Sequence, residues 1–246
     1  MNYENHVDHL ESEAHLFADA VASSDLDVMV VSCPEWSVRD LARHVGGLYH
    51  WSSTIVRERV VAETWPFQMP VEDPDDGDWA AWIRQRTDEA LTAFRAADPS
   101  SRVWVWGADP HARFWPRRML YEAVIHRLDL AATNKQPLEV TSEVAAEGID
   151  EWLENLRAVG PNVPSDGSDE RFLSFATDDT GDWWRVRVTR HGWRWDRDRS
   201  RGDVHVTGPA LDLLLLMQGR GRGATAAEGS EVLLEQWLSA TLRFWN

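Results

Sequence analysis

The chain has 246 residues, of which 43% are hydrophobic and 27% are charged, a composition typical of an ordinary globular protein. Its formal net charge of -16 disfavours nucleic-acid and membrane partners, because Lys and Arg side chains bind such partners by neutralising phosphates. No apolar run approaches the roughly 18 residues of a membrane-spanning helix, and the N-terminus lacks the basic and apolar regions of a secretory signal. We therefore expect a cytoplasmic protein.

The chain contains a single cysteine, Cys33, so neither an internal disulfide nor a cysteine-based zinc finger can form. The sequence around Cys33 predicts a small, buried apolar group rather than a nucleophile. Any thiol chemistry must therefore take its thiol from another molecule.

The first part of the chain predicts a bundle of four helices. Apolar residues recur at helical spacing in each predicted helix, and Ser37 and Asp40 have the spacing of a capping box at the start of the second. Asp78 can cap the third helix, after a proline-rich surface loop from Thr64 to Asp78. The four predicted helices cover residues 3–22, 38–62, 79–94 and 116–132.

After residues 134–137 the uniformly helical periodicity of the bundle gives way to a mixture of helical and alternating runs. We place the domain boundary there. A fifth helix is predicted over residues 143–159, followed by short alternating runs that indicate an antiparallel meander. Two more helices follow, the second capped by Ser230. The predicted strands cover residues 172–177, 183–189, 192–196 and 204–207, and the last two helices cover 209–218 and 231–244. The fold class is therefore α+β, with a four-helix bundle in residues 1–138 and a small α+β domain in residues 139–246.

One set of polar side chains is predicted to face the centre of the bundle. Glu122 and His126 are four residues apart on the fourth helix, so both lie on its apolar face. His44 occupies an equivalent inward position on the second helix. A carboxylate buried there costs several kcal/mol unless a charge, a hydrogen-bond network or a metal compensates it. Two histidines and one carboxylate suit zinc, with a fourth position open for water or substrate.

The spacing alone leaves a second interpretation open, because a glutamate followed by a histidine four residues later is a common pattern. Glu122 could instead be a buried carboxylate paired with Arg118 or Arg127, with His44 as a core residue.

Three neighbouring features also have open interpretations. Asp129 could accept a hydrogen bond from a metal-bound His126 or form a salt bridge with Arg127 or Lys135. Gly46 and Gly47 lie inside a predicted helix, where they would let a ligand or a neighbouring helix approach the backbone. Trp104 and Trp106 lie in a predicted loop that could form a wall of the pocket.

Two segments in this bundle resemble the sequence signatures of a known family. Residues 33–47 and residues 121–129 are similar to the two signatures of the mycothiol-dependent maleylpyruvate isomerase family, whose bundle is DinB-like and binds a metal. Residues 175–183 and 208–220 resemble its small C-terminal domain, which is similar to sterol-carrier (SCP2-like) folds. The resemblance implies that His44, Glu122 and His126 bind one divalent metal ion, for which zinc is the expected element.

The resemblance also implies an activity. A metal ion deprotonates a bound thiol, so mycothiol, a low-molecular-weight thiol, would act as cosubstrate in isomerisation or S-transfer on an electrophilic, acidic small molecule. Arg220 matches a family arginine that faces the site, although it could equally be a solvated loop residue beside Arg222. We expect a monomer or homodimer. One alternative is a non-catalytic, metal-containing protein with a small-ligand-binding or regulatory role. Another is a metal-dependent hydrolase.

Overall fold

The computed structural model describes residues 1–75, 77–159, 170–190 and 192–242. The chain divides into two compact units, Met1–Glu139 and Val140–Asn246. Among the described residues, no helix combines the length and the hydropathy that crossing a membrane requires.

The first unit is a bundle of four helices in which the first two each pack against both of the others. Its helices are α1 (Tyr3–Ala22), α2 (Val38–Glu58), α3 (Trp79–Ala96) and α4 (Phe114–Thr133). The predicted capping box is confirmed, because Ser37 Oγ accepts from the Asp40 backbone N–H while Asp40 accepts from the Ser37 backbone N–H. Asp78 likewise caps α3 by accepting from the backbone N–H of Ala81.

Helix α2 ends four residues before its predicted end. Arg59 adopts a left-handed conformation with φ of 51°, and its backbone N–H bonds back to the carbonyls of Ile55 and Val56. This closes the helix before the proline-rich loop begins. The loop itself contains a short 3-10 turn, Pro66–Gln68.

A short hairpin precedes α2 and was not predicted. It consists of β1 (Met29–Val30) and β2 (Cys33–Ser37), which pair antiparallel. Two strands of this length are too short for a recognisable alternation, so the sequence showed only that the helical period breaks there.

The second unit confirms the α+β fold class. Helix α5 (Ser142–Val159) is followed by a sheet whose strands are ordered β5-β4-β3-β6-β7. The strands are β3 (Arg171–Thr177), β4 (Trp183–Thr189), β5 (Gly192–Asp196), β6 (Val204–Gly208) and β7 (Ala226–Gly229), and the remaining helices are α6 (Ala210–Met217) and α7 (Glu231–Leu242). Ser230 caps α7 as predicted. The predicted end of this helix at Phe244 lies outside the described residues.

The predicted antiparallel meander is wrong for the second half of the sheet. β3, β4 and β5 pair antiparallel in chain order, but β6 pairs with β3 and runs parallel to it. β4 already occupies one edge of β3, so the chain crosses back through residues 197–203 and adds β6 to the other edge. β7, whose four residues are all exposed and lack apolar alternation, pairs antiparallel with β6 and was not predicted.

The apolar side chains of the sheet and the surrounding helices form the core of the second unit. Phe175 and Trp237 have ring centroids 5.4 Å apart, and Trp237 lies edge-on to Trp152 at 5.6 Å. Trp184 is fully buried, and its indole N–H donates to Asp150 Oδ1 over 2.7 Å. Two strands, β3 and β4, and two helices, α5 and α7, are therefore joined through three of the chain's 15 Trp side chains.

Close packing of α2 on α3 depends on Gly46. A Cβ atom at this position would lie 1.9 Å from Cζ3 of Trp82, whereas one at Gly47 would meet Cγ1 of Val71 at 3.8 Å. Trp82 is buried, and its indole N–H donates to the carbonyl of Glu72 over 3.1 Å. The ring therefore cannot move aside without losing that hydrogen bond. The sequence left two roles open for these glycines, the close approach of a ligand or of a neighbouring helix. At Gly46 the second is present, because Trp82 of α3 packs against it.

We expect Gly46→Ala to lower the free energy of unfolding by roughly 1–3 kcal/mol, because the added methyl overpacks the contact with Trp82. In an unobstructed helix the same change stabilises by about 1 kcal/mol. Gly47→Ala is the matched control and should leave stability unchanged or raise it. Urea unfolding followed by circular dichroism measures both variants, and equal effects in the two would contradict the assigned packing.

Candidate metal centre

Three polar side chains from two helices converge in the bundle. His44 Nε2 lies 3.4 Å from Glu122 Oε2, and His126 Nε2 lies 3.2 Å from the same oxygen. One potential ligand atom from each of these residues lies within 4.8 Å of the others. The imidazole rings meet nearly at right angles, with centroids 5.1 Å apart. The structure therefore brings together all three residues that the sequence singled out.

The three residues differ in burial. The side chains of His126 and Glu122 are 10% and 12% exposed, whereas that of His44 is 31% exposed. Solvent therefore reaches the cluster from the side of His44. This combination of an enclosed carboxylate and one accessible edge is the environment that a site with an open ligand position requires.

Burial and charge act in opposite directions on the ionisation of these groups. Burial lowers the pKa of His44 and so favours the neutral imidazole. Burial alone would raise the pKa of Glu122, but the Arg118 charge and the hydrogen bonds with His126 and His44 hold this pKa well below its usual range. Burial alone would also lower the pKa of His126, but hydrogen bonds with Asp129 and Glu122 raise it above its usual value. The neutral His44 imidazole and the ionised Glu122 carboxylate are the forms that bind a metal ion.

Arg118 occupies the second oxygen of the same carboxylate. Its guanidinium donates to Glu122 Oε1, and its own side chain is only 11% exposed. The guanidinium also lies over the ring of Trp106, 5.7 Å from the ring centroid. The alternative pairing of Glu122 with Arg118 is thus present together with the histidine contacts, and one carboxylate serves both. Arg127 instead pairs with Glu13 over 2.6 Å.

Trp36, in β2, also lies beside the cluster. Its ring centroid lies 4.8 Å from that of His44 and 6.4 Å from that of His126. Trp36 is therefore a part of the site that was not predicted, although its position immediately before the capping box was an available signal. Arg118 was considered as an alternative partner of Glu122, and it lies in the site together with the histidines.

Asp129 lies on the far side of His126. Its Oδ2 is 2.9 Å from His126 Nδ1, and its Oδ1 accepts from the hydroxyl of Ser32 over 2.5 Å. Of the two interpretations left open by the sequence, contact with His126 is the one present. Cys33 Sγ lies 3.9 Å from Asp129 Oδ2, and Cys33, His126 and Asp129 also offer three ligand atoms within 4.8 Å of one another.

The prediction that Cys33 is a small buried apolar group is wrong. The residue is partly exposed, and its thiol faces a carboxylate rather than apolar side chains. The cause is the unpredicted hairpin, which brings the residue at the start of β2 against α4.

Arg220 belongs to the second unit, three residues after the end of α6. Its guanidinium donates to the carbonyl of Gln218 over 2.6 Å, and its backbone N–H bonds to the carbonyl of Leu215. Its neighbour Arg222 forms ion pairs with Glu231 and Glu235. The two arginines therefore have different surroundings, although both follow the same helix.

Comparison with known proteins matches both parts of the chain. The family model described as the mycothiol maleylpyruvate isomerase N-terminal domain matches residues 7–131, and that of the MDMPI C-terminal domain matches residues 143–236. No curated protein sequence matches significantly. Crystal structures of the mycothiol-dependent maleylpyruvate isomerase, and of a variant with one histidine replaced by alanine, are each 14% identical over 93% of both chains. Their TM-scores are 0.57 and 0.60, respectively, which shows a shared fold.

Proposed function

The chain belongs to the mycothiol-dependent maleylpyruvate isomerase family, and from that membership we propose a metal-dependent enzyme that uses a low-molecular-weight thiol, mycothiol, as cosubstrate. The reaction is isomerisation or S-transfer on an electrophilic, acidic small molecule. The convergence of His44, Glu122 and His126 is the observation that carries this proposal. We also propose that residues 1–138 and 139–246 are separate domains, which the two compact units and the two family matches support.

The donor set fits a divalent ion. Two imidazole nitrogens and one carboxylate oxygen, separated by 3.2–3.4 Å along the two histidine–glutamate contacts, match the ligands that zinc takes when a fourth position stays open. A bound zinc ion would supply Lewis acidity and lower the pKa of a thiol in that position. The Cys33 thiol faces the Asp129 carboxylate, whose charge disfavours a thiolate there, so we assign the reacting sulfur to the cosubstrate.

The surrounding residues have distinct tasks in this proposal. Arg118 holds one oxygen of Glu122 and leaves the other for the ion. Trp36 covers the imidazoles and limits access of water to the reacting thiol. Arg220 is our candidate for the cation that binds a substrate carboxylate, since a guanidinium offers a planar, bidentate fork.

The thiolate sulfur bonds to one carbon of an activated carbon–carbon double bond, and the π pair of that bond moves onto the conjugated carbonyl. In an isomerase rotation about the resulting single bond follows, the electron pair returns to re-form the double bond, and the thiolate leaves, so no net sulfur is transferred. In an S-transferase the carbon–sulfur bond persists, and the neighbouring carbon takes up a proton from solvent. Both reactions need the thiol as thiolate and the substrate carboxylates fixed in place.

We expect His44→Ala and Glu122→Ala each to abolish stoichiometric zinc binding, because two donors remain where three are needed. Elemental analysis of purified protein and zinc titration measure this loss. His50→Ala is the matched control, since it removes another imidazole from the same helix outside the cluster, and it should retain zinc. Zinc retained in both site variants would reject the ligand set.

We expect mycothiol to bind the zinc form of the protein with release of about one proton, because the metal favours the thiolate. Calorimetry in buffers of different ionisation enthalpy measures the proton. Trp36 should report the same event through its fluorescence, and Trp36→Phe identifies its contribution. An unchanged heat and fluorescence signal across the titration would reject thiol dependence and favour a hydrolase or a non-catalytic binding protein.

We expect Arg220→Ala to raise KM for acidic electrophiles about tenfold or more, which is the loss of a charge-assisted pair. Zinc content should stay unchanged. Arg222→Ala is the neighbouring control, because its guanidinium is engaged by Glu231 and Glu235, and it should leave KM unaltered. An equal loss for neutral electrophiles would contradict a carboxylate-binding role.

A further inference from the structure

We propose that Asp129 is a positioning residue that fixes the ring orientation and the tautomer of His126, so that Nε2 is the nitrogen free to bind a metal ion. This inference rests on the proposed metal site. It adds a residue, together with its support in the β1–β2 hairpin, that determines how well the site binds metal.

The two nitrogens of His126 face different carboxylates. Nδ1 is 2.9 Å from Asp129 Oδ2, and Nε2 is 3.2 Å from Glu122 Oε2. The His126 side chain is only 10% exposed, so no water competes freely for either nitrogen. Turning the ring over would break both contacts at once. The imidazole is therefore held in a single orientation.

The Asp129 carboxylate is itself held in place. Its side chain has no exposed surface, and Oδ1 accepts from the Ser32 hydroxyl. The backbone N–H of Val31 bonds to Thr133 Oγ1 over 3.2 Å, which ties this turn of the hairpin to α4. The hairpin thus orients Asp129, and Asp129 orients His126.

The chemistry of imidazole makes this contact directional. A neutral imidazole carries one N–H, and the nitrogen without it has the lone pair that binds metal. An ionised carboxylate only accepts hydrogen bonds, so Asp129 favours the proton on Nδ1. Glu122 also faces the ring at Nε2, but over 3.2 Å rather than 2.9 Å and with its charge shared with Arg118, so the tautomer with the bare Nε2 prevails. An amide at the same place can donate from its nitrogen to Nδ1, which favours the opposite tautomer. Replacing Asp129 with Asn therefore reverses the directing effect with almost no change in shape.

The test measures the tautomer and the metal affinity separately. Nitrogen NMR of His126 in the metal-free protein, at alkaline pH where imidazoles are neutral, should show the proton on Nδ1. In Asp129→Asn the proton should move to Nε2. Zinc affinity should fall roughly 10- to 100-fold in that variant, the usual effect of losing such a partner. A merely structural role would change stability without moving the proton.

Two controls separate orientation from general damage. Ser32→Ala removes a support of Asp129 but keeps the carboxylate, so the tautomer should persist with a smaller loss of zinc affinity. Thr133→Val disturbs the hairpin attachment without touching either carboxylate oxygen, and the tautomer should again persist. The unfolding free energy of each variant is measured alongside.

The outcomes distinguish this inference from the proposed function. A proton on Nε2 in the parent protein would overturn the positioning role without any variant. An Asp129→Asn protein that keeps both the Nδ1 proton and full zinc affinity would do the same. If the parent protein binds no zinc, the proposed function fails, while the tautomer measurements still decide whether Asp129 directs His126.

Discussion

The candidate site depends on one buried carboxylate. Glu122 sits in the centre of a helical bundle, where an ionised group without partners would cost several kcal/mol. Its two oxygens have different partners, since Arg118 holds Oε1 and the two histidines approach Oε2. The Arg118 guanidinium therefore compensates the buried charge of Glu122 without requiring a metal ion.

Two segments that contribute no predicted ligand also pack around this carboxylate. The β1–β2 hairpin supplies Ser32 beneath Asp129 and Trp36 against the imidazoles. The loop before α4 supplies Trp106 over Arg118. The side chains of the candidate metal centre come from two helices, and two non-helical segments pack against them and orient them.

The inward positions of the site residues on α2 and α4 could be predicted, because helical periodicity shows which face of a helix is buried. The spacing of Glu122 and His126 placed both on the inner face of α4, and the cap at Ser37 located the start of α2 and hence the inward position of His44. The hairpin and β7 could not be predicted, because they are too short or too exposed to carry an alternating pattern. The place of β6 beside β3 depends on which sheet edge is free, which no local pattern records.

The contact between Gly46 and Trp82 affects the distance between His44 on α2 and Glu122 on α4. Residues 44 and 46 point to nearly opposite sides of α2, because each residue advances the helix by about 100°. The indole of Trp82 therefore acts as a spacer behind α2, while His44 faces α4 in front. A smaller side chain at position 82 would let α2 settle toward α3 and draw the imidazole of His44 back from Glu122. Helix α3, which contributes no candidate ligand, thus limits the distance between the candidate ligands on α2 and α4.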